Sequence, residues 1–246
     1  MKERRISPAF RVIKFLVWLF YPKVKIVGTE NLPQEPAIVV GNHTKMNGPI
    51  CSEIYFPGYH YTWCAGEMMH LKEVPDYAFQ DFWSQKPLWN RWFFRIASYV
   101  IAPLAVIVFN NANTIGVYKD ARTLSTFRET LARLQEGANI VIFPEHYEKH
   151  NHIVNDFQEG FVDIARMYHR KTGKSLPFVP MYVAPALKKV YIGKPVYFCP
   201  DAPIDQERRR ICNALMDGIT EIACSLPRHT VVPYENLPRK QHVYNK

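Results

Sequence analysis

Short apolar runs at Ala37–Val40, Asn139–Phe143, Pro177–Val183, Val190–Ile192 and Val196–Phe198 alternate with stretches of helical periodicity, and few folds accommodate that alternation. The runs are rich in Val and Ile and lack a polar alternate face, as strands covered on both sides do. Between them, "TLSTFRETLARLQE" repeats Leu124, Phe127, Leu131 and Leu134 at three- and four-residue spacing, with Asp120 or Thr123 as a cap and Gly137 as a stop. "FQEGFVDIARMYHRKTG" and "PIDQERRRICNALMDGITEIACSL" follow the same pattern. The sequence therefore predicts an α/β fold, a layered sheet flanked by helices, with "GKPVYF" as a turn and the return strand of a hairpin. One domain over residues 23–228 is expected, preceded by a helical segment within 1–22 and followed by a poorly patterned tail, 229–246.

The front end is a basic cluster followed by Ser7 as N-cap, Pro8 at the first helical position and Pro22 as a stop, which predicts a helix over Pro8–Phe20. At about 1.5 Å per residue it is about 20 Å long, shorter than the ~30 Å hydrocarbon core of a bilayer. Its apolar residues are too many for a narrow stripe, while Arg11 and Lys14 share one side. An amphipathic helix lying in the membrane interface is the expectation, with a core helix and a signal peptide as the competing readings. A second stretch, Ile96–Phe109, is free of charge but contains Pro103. It reads either as a core helix and strand broken at the proline or as a re-entrant membrane contact.

The 31 Lys and Arg against 22 Asp and Glu give a net charge of +9, which favours an anionic partner such as an acidic membrane surface or a phosphorylated ligand. No basic recognition helix, zinc-finger spacing or RNP-like strand points to nucleic acid. The five cysteines form no C-x-x-C pair, in keeping with reduced thiols facing the cytosol.

Two suggestive runs stand at predicted strand ends, where ligands of α/β proteins collect: "GNH" after Val40 and "PEH" after Phe143. His43 reads as a general base or as a structural histidine, and Glu145 as a hydroxyl-binding carboxylate or a solvated loop residue. His146, His150 and His152 suggest a metal-dependent hydrolase only if their loop turns helical, and their spacing fits no standard site.

Four blocks, "GNHTKMNGP", "VYKDARTLSTF", "IVIFPEH" and "LPFVPMYV", together with "FQEGFVDIA" and "VYIGKPV", resemble in order those of the glycerolipid acyltransferases, the 1-acylglycerol-3-phosphate acyltransferase group. The resemblance covers residues 10–200 or so. It implies the glycerolphosphate-acyltransferase fold at the cytoplasmic face of a membrane, peripheral or monotopic. It also implies acyl transfer from acyl-CoA or acyl-carrier protein to a lysophospholipid or related hydroxyl, with His43 as base and no cofactor or metal. Where the family has an aspartate to fix the imidazole this chain has Gly48, so Asn47, Glu53 or Asp120 is expected to orient the ring. Where the family has Gly, Thr and Arg after its Glu, this chain has His146, Tyr147 and Glu148. Asn42 and Glu145 are then acceptor-site residues, and Lys119, Arg122 or Lys149 must hold an acceptor phosphate. A catalytically silent lipid- or acyl-carrier-binding relative is the alternative.

Overall fold

The computed structural model describes residues 6–83, 87–235 and 237–246; the basic cluster at Lys2–Arg5 lies outside them. Its strands are β1 (Lys25–Val27), β2 (Ile38–Gly41), β3 (His60–Ala65), β4 (Thr114–Val117), β5 (Asn139–Ile142), β6 (Glu145–Lys149), β7 (Asn155–Phe157), β8 (Pro177–Ala184), β9 (Lys189–Ile192) and β10 (Val196–Tyr197). Its α-helices are α1 (Pro8–Phe20), α2 (Asn47–Tyr55), α3 (Val74–Ala78), α4 (Arg91–Asn111), α5 (Thr123–Gln135), α6 (Asp163–Thr172) and α7 (Ile204–Ser225). Where one domain was expected, contacts gather the chain into two compact units. One is Met1–Tyr21 with Trp63–Thr126, the other Pro22–Thr62 with Phe127–Lys246.

The larger unit is the predicted α/β fold. Its sheet runs β1-β9-β8-β2-β5-β3. β8, β2, β5 and β3 are parallel, in the register Ile38↔Phe178, Ile38↔Ile140 and Tyr61↔Ile140. All eight residues of β8 and all four of β2 are buried, which explains their unbroken apolar character. α7 packs on β8 through Ile211, Cys212, Leu215, Met216, Ile219 and Ala223, one face of a 3.6-residue helix. Parallel pairing brings the carboxyl ends of β2 and β5 level, Val40 opposite Ile142, so that the loops carrying His43 and Glu145 leave the sheet side by side.

Three local expectations are corrected in this unit. β10 returns against β8, Val196 opposite Phe178, and not against β9. "EHYEK" is neither loop nor helix: it is β6, paired antiparallel with β7 across an irregular register. The tail is ordered by Asn245, whose side chain donates to the carbonyls of Ala223, Leu226 and Pro227 and accepts from the His229 amide. Asn245 is fully buried, so its amide satisfies the carbonyls left open where α7 ends.

The smaller unit holds α1, α3, α4 and β4. Ser7 Oγ accepts the Phe10 amide at 3.2 Å, with Pro8 at the first helical position, so α1 starts where its sequence signals it. Pro103 does not break α4, which continues for 21 residues and leaves no strand in this stretch. Ala102 and Ala105 on either side of the proline pack into a cluster with Met68, Val74 and Ala78, and such packing holds a helix through a missing backbone bond. Leu88–Asn111 is long and apolar enough to cross a membrane, and only 17% of its apolar window is buried.

Candidate active site

β2 ends at Gly41, and the next residues leave the sheet through a strained turn. Thr44 and Lys45 take φ of 45° and 59°, a left-handed pair that is uncommon outside glycine and unfavourable for a β-branched residue. Four bonds hold the turn. The Asn47 and Gly48 amides donate to the carbonyls of Thr44 and His43, both at 3.2 Å. The Asn47 side chain donates to the Thr44 carbonyl at 2.9 Å, and Lys45 Nζ donates to the Leu237 carbonyl at 3.0 Å.

Asn42 is buried and forms a reciprocal pair with Val183 of β8. Its Nδ2 donates to the Val183 carbonyl at 3.1 Å and its Oδ1 accepts the Val183 amide at 2.7 Å. That pair extends the β2–β8 ladder beyond Gly41 and fixes where His43 leaves the sheet. Glu145, three residues beyond the neighbouring strand β5 and the first residue of β6, is also buried. One carboxylate oxygen accepts the His43 backbone amide at 2.5 Å, the other the Asn155 amide at 3.0 Å. Glu145 thus ties the His43 loop to the β6–β7 hairpin, with both oxygens engaged by the main chain.

The His43 ring is half-buried between Phe143 and Tyr234, meeting both edge to face at centroid distances of 5.6 and 5.8 Å. Its Nδ1 is buried and has no hydrogen-bond partner among the described residues. Leaving such a group unpaired costs about 1–3 kcal/mol. Asn47, Glu53 and Asp120 therefore do not supply the orienting bond in this conformation; Asn47 spends its amide on the turn and Asp120 its carboxylate on Arg122.

Of the expected phosphate-binding residues, Lys149 belongs to the same unit as this loop. Lys149 is exposed at the far end of β6, ~13 Å of extended chain from Glu145. In the smaller unit Lys119 is exposed. Arg122 there contacts Asp120 at 2.8 Å and Glu73 at 3.2 Å and lies over the Tyr118 ring, so its charge is already answered. The histidines proposed for metal diverge: His150 meets Asp217, His152 the Asn245 carbonyl and His146 Asp156. His146, Glu148 and Asp156 do bring donor atoms within 4.8 Å of one another. However, His146 Nδ1 accepts the Glu148 amide, which puts the ring proton on Nε2, the nitrogen facing Asp156.

Residues 23–184 match the family model described as Acyltransferase. The chain belongs to the acyltransferase family. No curated protein sequence matches it. Among solved structures it is similar to the 1-acyl-sn-glycerophosphate (LPA) acyltransferase PlsC of Thermotoga maritima, at 19% identity over 87% of this chain and 79% of that one, with a TM-score of 0.45.

This acyltransferase departs from its family's motif at Gly48, and the departure is built into the packing. A Cβ at residue 48 would stand 2.7 Å from Phe143 Cε1 and 2.8 Å from the His43 carbonyl oxygen. Phe143 fills the space that any side chain at 48 would enter. Sequence reasoning missed Phe143, Tyr234 and Lys45 as neighbours of His43; "PYE" in an otherwise unpatterned tail is the one signal that could have drawn attention to Tyr234.

Burial dominates the electrostatics. It lowers the His43 pKa from 6.5 to about 4, with a smaller opposing effect of the Lys45 backbone, so the ring is neutral at pH 7. It raises Glu145 from 4.5 to about 7, with the two amide bonds opposing and Glu235 adding to the rise.

Two outcomes follow. Gly48→Ala is expected to lower stability by about 1–3 kcal/mol in urea unfolding, and Phe143→Leu in the same chain to restore part of the loss. Glu145 stabilises the fold at low pH, and this contribution fades as pH rises from 4.5 to about 7. Unfolding measured across this range should show Glu145→Gln gaining about 3 kcal/mol on wild type as pH rises, whatever the constant offset of the variant.

Proposed function

We propose that this chain moves a fatty acyl group from an acyl-CoA or acyl-carrier-protein thioester to a lysophospholipid or related lipid hydroxyl. The observation that carries this reading is a neutral imidazole at the carboxyl end of a central parallel strand, its backbone clamped by Glu145 and its loop held in a left-handed turn. In the proposed step Nε2 of His43 accepts the acceptor's hydroxyl proton as the oxygen attacks the thioester carbonyl. The C–O bond forms, the C–S bond breaks, and the imidazolium returns its proton to the departing thiolate. The products are an ester and a free thiol, and no cofactor is called for beyond the thioester co-substrate. Asn42 and Glu145 act by fixing the loop; within the same unit, Lys149 is the basic residue proposed for an acceptor phosphate.

The acceptor is a lipid, and the proposed location is the cytoplasmic face of a membrane, bound peripherally or monotopically. Support comes from the smaller unit. Trp92, Phe93, Ile96, Tyr99, Val100 and Leu104 are all exposed on α4 at helical spacing. α1, which contacts α4, exposes Val12, Phe15, Leu16, Leu19 and Phe20. Apolar residues exposed in such number on two contacting helices suit a lipid surface, and the net charge of +9 favours an anionic one.

Incubated with acyl-CoA and a lysophospholipid, the protein is expected to release free CoA, and His43→Ala to release none above background. Equal release by both would remove His43 from the reaction, and lipid binding without release by wild type would mark a silent relative. Trp92→Glu combined with Val100→Glu should abolish co-sedimentation with vesicles of anionic phospholipid; unchanged sedimentation would show that these residues do not meet the bilayer.

A further inference from the structure

We infer that Glu235, in the tail segment beside His43, is the carboxylate that positions the imidazole in place of the aspartate that Gly48 excludes. The inference deepens the acyl-transfer reading and, for its kinetic arm, rests on it.

Three polar atoms in this neighbourhood are buried without a hydrogen-bond partner among the described residues: His43 Nδ1, Thr44 Oγ1 and Glu235 Oε2. The imidazole nitrogen can donate when it carries the ring proton; the carboxylate oxygen can only accept while ionised. They belong to connected groups. Tyr234, adjacent in the chain to Glu235, packs its ring against His43, and the Lys45 ammonium, two residues after His43, holds the Leu237 carbonyl two residues after Glu235. Asn155 joins them from below. Its backbone amide bonds Glu145, which holds the His43 amide, and its side chain lies 3.5 Å from Glu235 Oε1. Glu235 is also near enough for its charge to raise the pKa of Glu145.

The nearer carboxylate is not available. Both oxygens of Glu145 already accept main-chain amides, and position 48 cannot hold a side chain without displacing Phe143. Glu235 has an oxygen to spare, and the bond that restrains its other oxygen is at the limit of hydrogen-bonding distance. In the proposed arrangement the Glu235 side chain turns toward the ring, so that Oε2 accepts from Nδ1–H. It also supplies what a buried imidazole lacks as a base: a negative charge that stabilises its protonated form and fixes the proton on Nδ1, leaving Nε2 for the acceptor hydroxyl.

The test reads the ring directly in the full chain. With ¹⁵N-histidine labelling and His43→Asn for assignment, long-range ¹H–¹⁵N spectra recorded across pH report which ring nitrogen carries the proton and where it titrates. Expected for wild type is the Nδ1–H tautomer with a pKa held well above about 4, falling by at least about one unit in Glu235→Gln and largely restored in Glu235→Asp. A wild-type ring that titrates near 4, as burial opposed only by the Lys45 backbone dictates, overturns the inference whether or not the Gln variant folds. So does an identical tautomer and titration in wild type and Glu235→Gln. In turnover, Glu235→Gln should lower kcat by about 10²- to 10⁴-fold with KM little changed, and Glu235→Asp should recover part of it. A rise in KM at constant kcat would make Glu235 a substrate contact instead and overturn the positioning role. If wild type releases no thiol, the acyl-transfer reading fails on its own, and the ring spectra still decide whether Glu235 holds His43.

Discussion

The Glu145 carboxylate receives two main-chain amides from segments 102 and 10 residues away, and the arrangement around His43 depends on that junction. β2 and β5 lie side by side because their buried apolar faces pair in parallel, but pairing alone leaves the loops beyond them free to diverge. The buried carboxylate removes that freedom: one oxygen fixes the first residue of a strained turn and the other the start of the β7 return strand. The cost is its own desolvation, visible as the raised pKa, and the two short bonds to N–H donors offset part of it.

Around this junction the packing is aromatic where charge would be expected. Phe143 and Tyr234 take the flanks of the imidazole, and Phe143 takes the volume next to Gly48. A ring enclosed this way stays neutral across the physiological range, which keeps it ready to accept a proton but makes it a weak base until a negative charge approaches Nδ1. Geometry and basicity are therefore supplied by different parts of the molecule, the first by the strand ends and Glu145, the second by whatever carboxylate reaches the ring.

The sheet was legible from the chain because β2, β5 and β8 are buried on both faces and so carry uninterrupted apolar runs. β3 and β4 were not found, since "HYTWCA" and "TIGV" mix polar and apolar residues with no clear period. Pro103 misled in the other direction: a local breaker is overridden where Ala102 and Ala105 pack closely enough to hold α4 together. His43 and Glu145 follow strands β2 and β5 as the sequence predicts, but that these strands are neighbours, and that the partners of their polar atoms come from elsewhere in the chain, no spacing encodes. The role of Asn42 as a bridge to Val183, 141 positions on, is of the same kind.

Asn245 closes the last of these long-range links, because it binds the end of α7 and sets the course of the segment that lays Tyr234 against His43. As a ribosome delivers the chain from its amino end, the sheet and the histidine loop can assemble while that segment is still inside the exit tunnel. The nascent protein then passes through an interval in which the imidazole stands uncovered on that flank. The interval ends only when Asn245 has emerged and docked.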